Sequence, residues 1–357
     1  MALTLKQRVG LELQRSLRHT EAGLHPLRTL FWECTLRCNM SCRHCGSDCK
    51  VQPGAKDMPA EDFLRVVDSI TPHVDPHRVF VIFTGGEALL RDDLERVGLE
   101  LYRRGYPWGL VTNGFLLDER RLHSLLASGM HSITVSLDGP EEQHNWIRRH
   151  PQSFAKAAAA IRLLAHEKDL LWDVVTCVSP RNYAVLPRFR QQLEAMGVPA
   201  WRLFSIFPMG RAAADPGLQL TDGQFRGLLD FIADCRNGSS APRVSYACEG
   251  FLGDYERRVR DHFFHCRSGI DVASIRCDGT IGGCTSVRSH MDQGNIYRDD
   301  FWEVWESRFR PMRDHRWAKK DQCTDCKVWR YCEGSGMHLY DDDGRLLVCH
   351  YQRSLKP

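Results

Sequence analysis

Cys38-Asn39-Met40-Ser41-Cys42-Arg43-His44-Cys45 sets three cysteines at a C-x3-C-x2-C spacing directly after residues 30–36, an apolar run that reads as a β-strand. Three thiolates on one tight loop can wrap three irons of a 4Fe-4S cube and leave the fourth iron open to a small molecule. A structural zinc site asks for a fourth Cys or His. Cys34 and Cys49 flank the triplet, but substituting either for a member breaks the spacing, so both read as packing or redox bystanders. An open iron at a strand end implies chemistry, because barrel active sites form at the C-terminal ends of strands.

Outward from the triplet, a short apolar run, a turn and an amphipathic stretch alternate as far as residue 207. Strands are predicted at 30–36, 79–84, 108–112, 132–137, 172–178 and 201–207. Helices are predicted at 60–70, 91–104, 119–128, 153–168 and 184–196, with Gly105, Gly129 and Gly197 as stops. Such units build a parallel α/β sheet, curled into a barrel or open. After Pro208 the text turns polar and Gly-rich, with a helical stretch at 221–235. From Cys248 onward it carries clustered cysteines, short strands at 272–276 and 280–284 and otherwise weak periodicity, as expected of a small fold held by metal rather than by a core. The expected organisation is an N-terminal extension (1–29), a barrel (30–215), a helical bridge (216–265) and a cysteine-rich tail (266–357).

The chain has 357 residues, 43% of them apolar, enough for a real core. Its 48 Lys+Arg against 45 Asp+Glu leave +3, too little to suggest a nucleic-acid or polyanion binder. No apolar run approaches the roughly 20 residues that span a bilayer, and residues 1–30 lack a signal-peptide pattern, so a cytoplasmic location is expected. Fifteen cysteines in a chain too large to need disulfide staples point to metal. Six of them, Cys34, Cys49, Cys177, Cys235, Cys248 and Cys277, lie outside any tight spacing.

The triplet after the first strand resembles that of the radical S-adenosylmethionine (radical SAM) superfamily. The resemblance continues along the barrel half, which implies a partial (β/α)6 TIM-like barrel. Its second landmark, Thr84-Gly85-Gly86-Glu87, would hold the amino group of the methionine moiety of S-adenosyl-L-methionine. Glycines allow close backbone approach, and a carboxylate pairs with an ammonium. By the same resemblance Ser136 and Asp138, in Ser136-Leu137-Asp138-Gly139, would lie near the ribose and methionine, with Asn113 lining the same mouth. His44 would support the adenine, and Arg211 could meet a carboxylate of cofactor or substrate. Helix or turn capping remains open for Asn113, Ser136 and Asp138. The implied chemistry is reductive cleavage of S-adenosylmethionine to a 5'-deoxyadenosyl radical that abstracts hydrogen, fed by an electron donor such as flavodoxin or ferredoxin.

The tail contains Cys266, Gly279-x4-Cys284, Cys323-x2-Cys326-x5-Cys332 and Cys349. This order resembles the SPASM extension of many radical enzymes that modify peptides. Cys323, Cys326, Cys332 and Cys349 would ligate one auxiliary 4Fe-4S cluster, with a zinc site the alternative. The family pattern continues Cys-x3-Cys, but here Gly336 stands where the last ligand would be. Another auxiliary cluster would keep Cys266 and Cys284 and recruit Cys248 or Cys277, with His338 a further candidate. The set favoured is Cys248, Cys266 and Cys284. Cys248-Glu249-Gly250-Phe251 and Gly336-Met337-His338 also resemble SPASM enzymes encoded beside small bacterial lipoproteins.

The function implied is post-translational modification of a peptide or protein: a crosslink, thioether, epimerisation or oxidation. Thr285 departs from the sulfatase-maturing subgroup, which has aspartate there. The 29 residues before the barrel are too few for a leader-binding domain. Two other readings stay open. One is a radical enzyme acting on a cofactor precursor such as a tetrapyrrole; the other is a noncatalytic iron–sulfur or zinc protein.

Overall fold

Seven strands follow one another side by side, all parallel: β1 (Thr29–Thr35), β2 (Phe80–Gly85), β3 (Trp108–Thr112), β4 (Met130–Ser136), β5 (Leu171–Val178), β6 (Ala200–Ser205) and β7 (Arg243–Tyr246). The computed structural model describes residues 4–50, 56–238, 241–247, 249–288 and 291–355. The predicted strands are all present, with ends moved by at most two residues. Helices α2 (Ala60–Ile70), α3 (Leu94–Arg103), α4 (Glu119–Ala127), α6 (Ser153–Leu164) and α8 (Leu186–Ala195) match the predicted ones. Gly105, Gly129 and Gly197, at φ of 83°, 86° and 76°, make the left-handed turns that stop three of them.

Alternation along the strands separates two faces. Trp32, Trp108 and Trp201 are fully buried and point to the helices: Trp32 stacks on Phe63 of α2 at 4.2 Å, and Trp201 meets Phe189 of α8 edge-on. Gly98 of α3 abuts Trp108, where a Cβ would lie 2.3 Å from the indole. The opposite face stays half-exposed and largely polar. There Thr134 and Arg202 both bond Asp173.

Three features add to the expected organisation. The stretch expected as a helical bridge does hold the helix α9 (Asp222–Asn237), but also β7, which extends the sheet beyond β6. The tail joins the barrel sheet and core. Its β8 (Val272–Ile275) pairs in parallel with β1, from Thr29↔Val272 to Trp32↔Ile275, and β9 (Thr280–Gly282) and β10 (Gly294–Asn295) follow antiparallel. Ala273, Ile275, Ile281, Trp305 and Met312 lie in the same hydrophobic core as the barrel residues. Finally, residues before the barrel form a 20-residue helix, α1 (Leu5–Leu24), opened by a Thr4/Gln7 capping box. It braces the tail: Leu11 packs with Phe251, Phe263, Phe264 and Val328, and Glu12 accepts from the Tyr331 hydroxyl at 2.8 Å.

Candidate functional site

The triplet hangs from the end of β1 as a loop tied at its neck, where Cys38 N–H donates to Lys50 O (2.9 Å) and Lys50 N–H to Leu36 O (3.2 Å). Cys38, Cys42 and Cys49 are buried together with Met40, and Cys45 and Phe115 pack against them. Cys49 is therefore a member of this pocket, and its thiol hydrogen-bonds Cys45. Cys34 lies in the core and donates to Thr84 O. Arg211, expected to meet a carboxylate of cofactor or substrate, serves the loop itself. Its Nε donates to Cys42 O (2.7 Å) and its Nη1 to Cys49 O (2.8 Å) and Asp48 (2.9 Å), while its backbone N–H reaches Cys45 O.

Gly85 and Gly86 lie flush against the neck of this loop. A Cβ on Gly85 would stand 2.2 Å from Thr35 O, and one on Gly86 2.0 Å from Arg37 O. Their lack of side chains thus docks β2 on the cysteine loop. Glu87, expected to face an ammonium, is 1% exposed and turned inward. It accepts from Thr112 Oγ1 (2.7 Å), Asn113 N–H (2.8 Å) and Leu89 N–H (3.2 Å). Burial holds its pKa above the ordinary value, and these donors oppose that shift. Asn113 donates to Asn39 Oδ1 at 2.7 Å, next to Cys38. This leaves Asn39 Nδ2 buried without a partner among the described residues, and His44 Nδ1 is in the same condition.

Ser136 ends β4 half-buried, in register with Val175. Asp138 is buried in an ion pair with Arg148, 2.6 Å from its Nε, and also accepts from Cys177 N–H at 2.9 Å. Burial alone would raise its pKa, but Arg148 holds the carboxyl well below the usual range. Arg148 Nη1 is 3.8 Å from Cys42 Sγ, so the pair abuts the triplet. His44, Asp138 and Cys177 bring ligand atoms within 4.8 Å of one another, and burial pushes His44 down to about 4. Arg148 and His144 escape the sequence reading because they lie on α5 (Glu141–Arg148), a short polar run whose apolar residues are Trp146 and Ile147. His144 Nδ1 accepts from Asp138 N–H (2.9 Å), and Ile147 O from Arg43 N–H (2.8 Å), so this helix holds both the Asp138 loop and the triplet loop.

In the tail, Cys323, Cys326, Cys332 and Cys349 lie close enough to influence one another electrostatically. Burial raises Cys323 to about 11 and Cys332 further. Cys266 stands beside them, near Tyr340, and Gly283, which precedes Cys284, abuts Ser268 and Gly269. Cys248 lies outside the described residues. Cys277 is apart from this set. Burial raises it to about 12, and its strongest charged neighbours are Glu33, Asp278 and Asp57 at the barrel end.

Three thiols on one loop, two orphaned nitrogens in its wall and a second group of four thiols fit one 4Fe-4S cluster with an open iron and one fully ligated cluster. Residues 32–182 match the Radical SAM superfamily, and residues 266–327 match SPASM, an iron-sulfur cluster-binding domain. The chain is 24% identical over 363 residues to the AdoMet-dependent heme synthase of Oleidesulfovibrio alaskensis, covering 95% of this chain and 91% of that protein. It is 27% identical over 348 residues to a mycofactocin maturase of Mycobacterium tuberculosis, covering 90% and 81%. Its fold is similar to that of anSMEcpe with bound AdoMet and a Cp18Cys peptide (TM-score 0.70, 22% identity, 92% and 94% covered). It is also similar to SuiB of Streptococcus suis bound to S-adenosylmethionine (TM-score 0.67, 16% identity, 90% and 77% covered).

Proposed function

Because the chain carries a radical SAM domain followed by a SPASM iron–sulfur domain, making it a radical SAM/SPASM enzyme, we propose that it modifies a peptide or protein substrate by radical chemistry. With a 4Fe-4S cluster and S-adenosylmethionine bound, the site supplies reductive cleavage of the cofactor to methionine and a hydrogen-abstracting 5'-deoxyadenosyl radical. Cys38, Cys42 and Cys45 would hold that cluster. Asn39 Nδ2 and His44 Nδ1, the two orphaned nitrogens, are the groups free to bond the cofactor. Gly85, Gly86 and Glu87 fix the loop, as does Arg211, and Asn113 orients Asn39. Asp138 holds Arg148 beside Cys42, and Ser136 lines the mouth. In the tail, Cys323, Cys326, Cys332 and Cys349 would ligate an auxiliary cluster. An external donor such as flavodoxin or ferredoxin would supply the electron.

The observation that carries the reading is the buried triplet with those unpartnered nitrogens beside it. The mycofactocin maturase and the fold shared with peptide-bound anSMEcpe support a peptide substrate. A tetrapyrrole substrate is the second reading, favoured by full-length similarity to heme synthases. Anaerobic incubation of reconstituted enzyme with S-adenosylmethionine and dithionite tests the enzyme reading: 5'-deoxyadenosine must form, and must vanish with Cys42→Ala. Stimulation of that product by a candidate peptide, and not by iron coproporphyrin, supports the peptide reading; the reverse overturns it.

A further inference from the structure

We propose that the His338 imidazole ligates the first auxiliary cluster together with Cys266 and Cys284, in place of the cysteine that the SPASM pattern has at position 336. The inference rests on the SPASM reading of the tail, and the structure adds where the replacement comes from. Gly336 has φ −77°, an ordinary value, so backbone strain does not require glycine here. What a side chain at 336 would meet is instead specific. Its Cβ would stand 2.7 Å from His338 Cε1, 3.0 Å from His338 Nδ1 and 2.7 Å from Glu249 O. The imidazole thus occupies the direction in which a cysteine at 336 would point, and the glycine makes room for it.

The surroundings agree. The segments bearing Cys266 and Cys284 touch where Gly283 meets Ser268 and Gly269. Cys266, Cys284 and His338 are each only half-buried, whereas Phe264, Ser268, Gly283, Met337 and Leu339 around them are buried. Phe207 holds the ring edge-on at 4.9 Å and itself touches Gly46 of the triplet loop. Cys277 lies elsewhere, just after β8, whose Ile275 pairs with Trp32 of β1 at the barrel end. Replacing a thiolate by a neutral imidazole raises a cluster's reduction potential, so this cluster accepts an electron more readily than an all-cysteine one.

The test removes the triplet's own cluster by working in a Cys38→Ala, Cys42→Ala, Cys45→Ala background, reconstituted anaerobically. About 8 irons per chain are expected there, as two four-iron clusters. Pulsed EPR of the reduced protein should show a nitrogen coupling that changes when the cells are grown on 15N-histidine. His338→Cys should keep the iron, abolish that coupling and lower the midpoint potential of one cluster, while His338→Ala should lose about 4 irons, one cubane. About 4 irons in the background protein would mean that the first auxiliary cluster does not form, which overturns the SPASM reading of Cys266 and Cys284 along with the proposal. About 8 irons without a histidine coupling, or with one that survives His338→Cys, would keep the cluster and overturn His338 as its ligand. The labelling experiment needs no substitution at 338, so it decides even where a variant fails to fold.

Discussion

The two thiol sets are held by opposite means. The triplet loop is fastened to finished barrel architecture: β1 and β2 at its neck, Arg211 across its carbonyls, and α5 behind it. Positive charge is built in, with Arg148 opposing the burial of Cys42 and Arg211 acting on Cys45, while burial still raises Cys42 and takes Cys38 to about 12. In the C-terminal set, burial and neighbouring thiols push Cys323 and Cys332 up, and backbone N–H groups are the main counterweight at Cys332. A cation that senses Cys332 is Arg18 of α1, and it is committed to Glu333. A site with its own cations can be ready before iron arrives. A site of buried, neutral thiols needs the metal to draw off its protons, so metal binding and local folding are one event.

Four measurements break or sharpen this contrast. The largest effect is expected from Cys42→Ala, which should abolish 5'-deoxyadenosine formation, against less than about tenfold loss for Cys326→Ala if the tail set is auxiliary; equal loss would erase the division of labour. Next, Arg148→Met should cost the apoprotein about 3–5 kcal/mol in urea unfolding by stranding the buried Asp138 charge. Arg18→Met should cost less and lower the iron retained by the tail. A larger cost at Arg18 would put the stronger built-in charge on the wrong set. Gly86→Ala drives a methyl into Arg37 O and should cost about 1–3 kcal/mol, with weakened triplet iron and unchanged tail iron.

The smallest effect is a pH slope. Burial lowers His144 to about 3, and its Nδ1 already accepts from Asp138 N–H. The unfolded chain therefore takes up the proton first. The stability His144 contributes is complete above its unfolded pKa near 6.5 and is lost as pH falls toward its folded value, by about 1.4 kcal/mol per unit. Apoprotein unfolding between pH 6.5 and 5 should accordingly be flatter for His144→Asn than for the parent. Parallel profiles would detach His144 from the support of the triplet.

The barrel was legible in the sequence because its strands are long and apolar on one face, its helices are periodic and its glycines stand at helix ends. The triplet was legible because three cysteines lie within eight residues. What stayed hidden was set by contacts distant in the chain. Glu87 and Arg211 were read as facing a ligand, yet Glu87 accepts from the Thr112 hydroxyl and Asn113 N–H at the end of β3, and Arg211 donates to Cys42 O and Cys49 O of the triplet loop. Arg148 acts on Cys42 across more than a hundred residues. β7 is four residues long, too short to announce itself, and only pairing with β6 makes it a strand; β8 could be read as a short strand, but its parallel pairing with β1, some 240 positions away, could not.

The hydrogen bonds between β1 and β8 also fix a timetable. On the ribosome, Thr29 to Trp32 emerge among the first residues, but their partners, Val272 to Ile275, follow some 240 positions later. Until then the strand that carries the cysteine loop has an open edge, and such an edge is a template for foreign strands. Contacts this far apart in sequence also close slowly. A radical SAM half cut away at residue 265 would keep that edge for good, and expression should yield aggregate rather than a minimal enzyme.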